Sequence, residues 1–246
     1  MKIVVIGGTG LIGSQVVREL SEAGHDAVPA ALSTGVDLIS GKGLDEVLSG
    51  AEVVVNVANS PTFDEASLEF FRTSMGNLLA AGQRAGVGHQ MVLSIVGVDQ
   101  VPQLDYYRAK TLQEELLRDS GTPWSVVRAT QFFEFVDAIL SWTSDDSTVR
   151  LPATPVQPMA AADVVAAVVD VATGAPLNAV RNVGGPDAFT LDELGRVTLA
   201  ARHDDRNVVV DDSAGMFAAV DGDVLVPGPD ARLAPTHYAD WLRSSR

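Results

Sequence analysis

A chain of 246 residues with 46% apolar content can bury one large α/β core, and 17 basic against 32 acidic residues leave a formal charge of −15 that repels a nucleic-acid backbone. The absence of cysteine excludes disulfides, thiolate nucleophiles and Cys-ligated metals, and His25, His89, His203 and His237 show no ligand spacing, so no metal is expected. No apolar run reaches the roughly 18 residues that span a bilayer, and the chain enters its first strand at once, so a soluble, cytoplasmic protein with neither membrane nor nucleic-acid partners is expected.

The first element is the apolar run Lys2-Ile3-Val4-Val5-Ile6, followed without a break by Gly7-Gly8-Thr9-Gly10-Leu11-Ile12-Gly13 and a helical pattern over 12–23 that places Ile12, Val16, Val17 and Leu20 on one face. Strand, glycine turn and helix in this order form a dinucleotide-binding βα unit. The glycines read as G-x-x-G-x-x-G and as G-x-G-x-x-G: Gly7 and Gly8 permit a tight turn, Gly10 lets a pyrophosphate approach the backbone, and Gly13 lets helix and strand pack closely. The helix start near Leu11 aims free N–H groups and a positive dipole end at the phosphates.

A second β-type run begins at Asp26 and leads into Val28-Pro29-Ala30-Ala31-Leu32-Ser33-Thr34-Gly35. A carboxylate at the end of this strand would accept from the ribose 2′-hydroxyl of NAD, and an arginine would pair with the 2′-phosphate of NADP. The chain has neither. Ser33 and Thr34 offer hydroxyls and backbone N–H groups, and without a carboxylate to repel the phosphate the reading leans to NADP over NAD, although both residues also suit a simple turn.

β-type runs then alternate with helical stretches through 52–57, the helical 65–85, 90–96, the helical 106–119 and 124–128. Such a βαβ series implies a mostly parallel sheet with helices on both faces, and near-continuous apolar runs such as Val53-Val54-Val55 suit strands buried on both sides. The fold class is therefore α/β, a Rossmann-type doubly wound sheet. After Phe132 the regularity loosens into the polar stretch Thr143-Ser144-Asp145-Asp146-Ser147, the prolines Pro152, Pro155 and Pro158, a helical 162–173, a capping box at Thr190-Leu191-Asp192-Glu193 opening a helix through about Ala201, and a short aromatic helix around Tyr238 and Trp241. We expect one domain over 1–246, with a core at 1–131 and, at 132–246, a small C-terminal lobe that covers the strand ends and returns segments to the core.

Chemistry is concentrated in Asp105-Tyr106-Tyr107-Arg108-Ala109-Lys110. Residues four apart share a helix face, so the Tyr106 phenol and Lys110 ammonium can address one ligand, with the cation lowering a phenol pKa that is ordinarily about 10. The competing reading packs Tyr106 on the sheet and leaves Lys110 solvated near Glu114. Ser94, at the end of Met91-Val92-Leu93, falls at a strand's C-terminal end facing the crevice, as a catalytic hydroxyl or a strand-end cap.

Together these residues resemble the short-chain dehydrogenase/reductase superfamily over nearly the whole chain. More narrowly they are similar to its atypical, NmrA-like branch, on Val5-Ile6-Gly7-Gly8-Thr9-Gly10-Leu11-Ile12-Gly13, Asn77-Leu78-Leu79, Leu93-Ser94-Ile95-Val96-Gly97, Tyr107-Arg108-Ala109-Lys110, Val127-Arg128-Ala129-Thr130-Gln131-Phe132-Phe133 and Gln157-Pro158-Met159-Ala160, in that order. The resemblance implies hydride transfer between a nicotinamide and a carbonyl: Tyr106 gives the proton, Lys110 lowers its pKa and holds the ribose, and Ser94 hydrogen-bonds the carbonyl oxygen. Tyr107, three residues from Lys110, is the rival; four-residue spacing matches the superfamily.

The resemblance also implies cofactor contacts from Gly7, Gly8, Thr9, Gly10, Leu11, Ile12 and Gly13, from Ser33 and Thr34, from Asp37 and Leu38 near adenine, from Asn56, Val57, Ala58 and Asn59 after the fourth strand, and from Lys110, Ala129 and Phe132. Phe132 and Phe133 follow the sixth strand, as pocket wall or as core. Three functions compete: an NADP-dependent reductase of a small apolar ketone, aldehyde or quinone; a non-catalytic NAD(P)-binding redox sensor of NmrA type; and an epimerase or dehydratase acting on a nucleotide sugar, which calls for a larger polar lobe. The expected partners are a small-molecule substrate and, through helices 65–85 and 106–119, at most a second copy, so the chain is expected to be a monomer or homodimer.

Overall fold

The computed structural model describes residues 1–244. In chain order the elements are β1 (Lys2–Ile6), α1 (Leu11–Glu22), β2 (Asp26–Ala30), α2 (Leu44–Leu48), β3 (Val53–Asn56), α3 (Ala66–Ala85), β4 (His89–Ile95), α4 (Asp105–Arg118), β5 (Trp124–Ala129), α5 (Val136–Trp142), β6 (Thr148–Leu151), β7 (Pro155–Val156), α6 (Ala161–Thr173), β8 (Val180–Gly184), β9 (Phe189–Thr190), α7 (Leu191–Arg202), β10 (Asn207–Val210), β11 (Arg232–Leu233) and α8 (Tyr238–Ser244). A seven-stranded parallel sheet has the order β11-β8-β5-β4-β3-β1-β2, so the fold is the Rossmann-type α/β class expected from the alternating pattern. The chain leaves β1 for β2 on one side and returns to β3 on the other, which puts the switch point of the sheet at the C-terminal ends of β1 and β3.

The strand numbering differs from the expectation. Between β2 and β3 the chain forms a 3-10 turn at Leu32–Thr34 and the short α2 but no strand, because Gly35, Gly41 and Gly43 hold left-handed backbone that cannot pair in a ladder. The run ending at Asn56 is therefore the third strand, and the one before Phe132 is the fifth.

The chain divides into two compact units, 1–128 with 164–181, and 129–163 with 182–246. In the first, β1, β3 and β5 are almost wholly buried, as their apolar runs require. Val4, Ile6, Val54, Val92 and Val126 pack with Leu44 and Leu48 of α2, Met75 and Leu78 of α3, and Leu117 of α4. α3 stops at Gly86, whose φ of 71° closes the helix with the left-handed residue that glycine adopts without strain. β2 is the sheet edge, and it carries Pro29. Ala30 turns its carbonyl inward to accept the Gly7 N–H at 2.8 Å, so the neighbouring Pro29 turns its missing donor outward, where a ladder bond is not needed.

In the second unit β6 pairs with β10 and β7 with β9. Phe133 packs on Tyr238 and Trp241 at ring separations of 4.8 and 5.5 Å. It is therefore core within that unit. α7 begins where the capping pattern places it, with the Thr190 N–H donating to the Glu193 carboxylate at 3.0 Å.

Candidate active site

The turn after β1 is set by backbone crowding. Gly7 has a φ of 78°, and a Cβ there would also lie 2.9 Å from the Ala58 backbone; a Cβ on Gly13 would lie 2.1 Å from the Gly7 carbonyl oxygen. Gly8 is seated against Pro29. Gly10 differs: its nearest neighbour would be 3.4 Å away, and Thr9, Gly10 and Leu11 are exposed. Gly10 is the N-cap of α1 and provides no side-chain cap, so the first N–H groups of the helix, on Leu11, Ile12 and Gly13, have no intrahelical acceptor. The Ile12 side chain is buried, leaving its backbone as the available group.

The residues beyond β2 are mostly committed to local bonds. The Thr34 hydroxyl accepts the Ala31 N–H at 2.9 Å and donates to the Ala31 carbonyl at 3.0 Å, so it is a turn former, whereas the Ser33 hydroxyl donates to the Thr9 hydroxyl at 3.4 Å. The Asp37 carboxylate accepts from the Ser40 hydroxyl at 2.7 Å and the Ile39 N–H at 2.9 Å, in that order of effect, and both hold its pKa below the usual value. Leu38 packs on the core, and its carbonyl and that of Ile39 each accept from Asn77 of α3 at 2.9 Å. Asn77 thus positions this loop, a role its place in a sequence motif did not disclose.

The Asn56 side chain is turned into the core: it is 3% exposed, its Nδ2 donates to the Met75 sulfur at 3.3 Å and its Oδ1 accepts the Ala58 N–H at 3.0 Å. With both ends bonded inside the protein, the side chain supports the turn. Val57 and Ala58 are half-buried, and Asn59 is exposed.

Tyr106 and Lys110 lie one turn apart on α4, both buried, at 8% and 4% exposure. The Tyr106 hydroxyl donates to Asn59 Oδ1, which also accepts the Ser60 N–H at 2.9 Å, and its ring meets Phe63 edge-on at 4.9 Å. Lys110 Nζ donates to the Leu93 carbonyl at 2.7 Å and to Gln113 Oε1, and stands 5.0 Å from the centre of the Phe71 ring. The solvated reading of Lys110 is excluded. Glu114 is instead bound by Arg128, through Nε at 2.8 Å and Nη2 at 2.7 Å, and by Arg118 at 2.6 Å, while Arg128 also holds Asp99 at 3.0 and 3.1 Å. Tyr107 is buried beside Tyr106.

The titration of the pair departs from the expectation. Burial pushes the Tyr106 phenol up to about 12, so it is protonated near neutral pH, whereas the sequence reading lowered it through Lys110. Burial pushes Lys110 down to about 8, with Glu114 opposing. Desolvation acts on both groups against their charged forms, and the Lys110 charge is directed at Leu93 and Gln113. Ser94 is 4% exposed, and its Oγ has no hydrogen-bond partner among the described residues, although Lys110 anchors the preceding residue. Ala129 and Phe132 belong to the second unit: Ala129 is buried, and Phe132 is half-buried in a bridge with Met159.

Residues 7–173, more than half of the chain, match the family model described as NAD(P)H-binding. The chain belongs to this NAD(P)H-binding family. Its relatives are of the atypical short-chain dehydrogenase/reductase, NmrA-like type. One is a (4-alkanoyl-5-oxo-2,5-dihydrofuran-3-yl)methyl phosphate reductase of Streptomyces griseus subsp. griseus, 32% identical over 57% of this chain and 50% of its own length. Another is the chloroplastic divinyl chlorophyllide a 8-vinyl-reductase of Cucumis sativus, 27% identical over 79% of this chain and 55% of its own. The chain thus spans about half the length of these relatives. Among solved structures, a dTDP-4-dehydrorhamnose reductase of Bacillus anthracis str. Ames in complex with NADP is similar in fold, with a TM-score of 0.71 at 15% identity over 99% of this chain and 92% of that one.

The residues fit such a dinucleotide. Gly10 leaves open the space that a side chain would fill, beside the uncapped N–H groups of α1. Thr9 and Leu11 flank Gly10 and are exposed, exposed Ser33 reaches Thr9 at 3.4 Å, and half-buried Ala58 lies against Gly7.

Proposed function

We propose that the chain is an NADP-dependent reductase of a small carbonyl or quinone. The observation that carries this reading is the protonated Tyr106 phenol one helical turn from Lys110, with the unpartnered hydroxyl of Ser94 beside the carbonyl that Lys110 holds. The dinucleotide, held by the 7–13 loop, supplies the hydride when bound. Ser94 Oγ donates a hydrogen bond to the substrate oxygen. As the carbonyl carbon gains its hydride, the π pair moves to oxygen, which takes the proton from Tyr106 Oη and leaves a phenolate that the Lys110 cation stabilises. A phenol with a pKa pushed up to about 12 carries its proton at neutral pH, as the donor role requires. The preference for NADP rests on Ser33, whose exposed hydroxyl makes a long bond of 3.4 Å to Thr9, and on the lack of a carboxylate at the end of β2.

Titration with NADPH and NADH by fluorescence, then a panel of ketones, aldehydes and quinones scored for nicotinamide oxidation, tests this. Turnover that Tyr106→Phe removes, with NADPH binding retained, is the expected result; equal activity in that variant refutes proton transfer from Tyr106. A second reading, a redox sensor that binds NAD(P) without turnover, is favoured by the commitment of the phenol proton to Asn59. It predicts binding and a silent panel.

A further inference from the structure

The reductase reading needs a charged Lys110, but the side chain is buried beside the Phe71 ring, and what keeps it charged and in place is not visible in the Tyr-x-x-x-Lys pattern. We propose that Gln113 is the positioning residue for Lys110, holding its ammonium in place through Oε1; this deepens the reductase reading, on which its catalytic consequence rests.

Four observations support the assignment. Gln113 is 1% exposed, one turn beyond Lys110, and its Oε1 accepts from Nζ. Its Nε2 lies 3.8 Å from the Met75 sulfur, an atom that only accepts, so the amide can face in one direction: nitrogen to Met75, oxygen to Lys110. Met75 is fixed in turn by Asn56 Nδ2 at 3.3 Å. The amide of Asn56 is oriented by the Ala58 N–H, so Lys110, Gln113, Met75 and Asn56 form a buried polar string ending at the 57–59 turn, whose Asn59 returns to Tyr106. Both chemical side chains of α4 are therefore tied to one turn, by different routes.

Of the ionisable groups around Lys110, Glu114 lies one turn on and is neutralised by Arg118 and Arg128, Asp99 reaches Arg128 from the turn after β4, and Tyr106 lies one turn back. α3 presents Phe71 and Met75, and β4 presents a backbone carbonyl. Gln113 and Leu93 thus supply the acceptors, and losing Gln113 leaves a buried ammonium with one of the two.

The lysines of the chain are Lys2, Lys42 and Lys110, so a 13Cε-lysine spectrum has three resonances, assignable with Lys2→Arg and Lys42→Arg. Titrating this spectrum in the free protein reads the Lys110 midpoint without any substrate. Gln113→Met, which fills the space but accepts nothing from Nζ of comparable strength, is expected to move the midpoint down by about one unit or more, and Gln113→Glu, which adds a carboxylate, up by a similar amount. The alkaline limits of NADPH affinity and of kcat should follow in the same directions. Unchanged midpoints in both folded variants would mean that Gln113 only fills space, and midpoints that move without the NADPH or kcat profile would separate it from the site; either result overturns the proposal. Should Gln113→Met fail to fold, Gln113→Glu alone decides, by a raised or an unchanged midpoint. If the unaltered chain reduces nothing on the panel, the reductase reading fails, while the titration and the NADPH profile still judge Gln113.

Discussion

The glycine turn after β1 and the Tyr106 helix are both expected to serve one reaction, yet different forces shape them. In the turn, backbone meets backbone: Gly13 cannot accept a Cβ 2.1 Å from a carbonyl oxygen, and no rearrangement of flexible side chains relieves that. On α4, side chains meet side chains across long stretches of sequence, Tyr106 to Asn59 over 47 residues and Gln113 to Met75 over 38. The first region is a matter of steric room and the second of hydrogen-bond partners and burial, so the two should fail in different ways.

The largest expected effect is at Gly13. Gly13→Ala forces apart α1 and the turn, and we expect loss of NADPH binding together with a collapse of thermal stability, read by fluorescence titration and circular dichroism. On α4, Glu114→Gln leaves Arg128 buried with only part of its charge matched, and a destabilisation of about 3–5 kcal/mol in denaturant unfolding is expected. Tyr106→Phe should lower kcat by about 10²–10⁴-fold while NADPH affinity changes little, since what is removed is a proton donor and not a wall of the cradle. Gly10→Ala sharpens the contrast within the turn itself: with 3.4 Å to its nearest neighbour the variant should melt as the parent does yet bind NADPH about tenfold more weakly, a loss of about 1.4 kcal/mol. Equal loss of stability in Gly10→Ala and Gly13→Ala would erase the distinction.

The smallest effect is at the other end of β4. His89 is buried, with Nε2 bonded to Ser125 Oγ at 2.8 Å and Nδ1 facing no acceptor, and burial lowers its pKa from the ordinary 6.5. The folded state therefore holds it neutral while the unfolded chain takes a proton. Its contribution is present above about pH 6.5 and lost as the pH falls below that value, so stability should decline more steeply from pH 7 to 5 in the parent than in His89→Gln, by less than about 2 kcal/mol. Parallel declines would show that His89 is not the group responsible.

The same contrast explains what could be read from the chain in advance. Alternating apolar runs, glycines and the Thr190 to Glu193 cap are local signals, and the sheet, its helices and the shape of the turn follow from them. The inward bonding of Asn56 is not legible in the sequence because its position at a strand end is local while its partner, Met75, lies 19 residues away on another element. The Tyr106 phenol was misjudged because a helix face shows which residues are neighbours but not how much water is left around them, and burial sets its pKa. Gln113 had a readable signal, a polar residue three positions beyond Lys110 on the same face, but a glutamine there means little until the face is known to be buried.

Pro29 has a consequence beyond the turn it shares with Gly8. A row of free N–H and C=O groups along the margin of a sheet is a template on which another chain can assemble, and β2 forms such a margin. Pro29 lacks the N–H at the outward-facing position, so the carbonyl of a foreign strand laid there would find no donor. The residue that abuts Gly8 thus also guards this margin against aggregation.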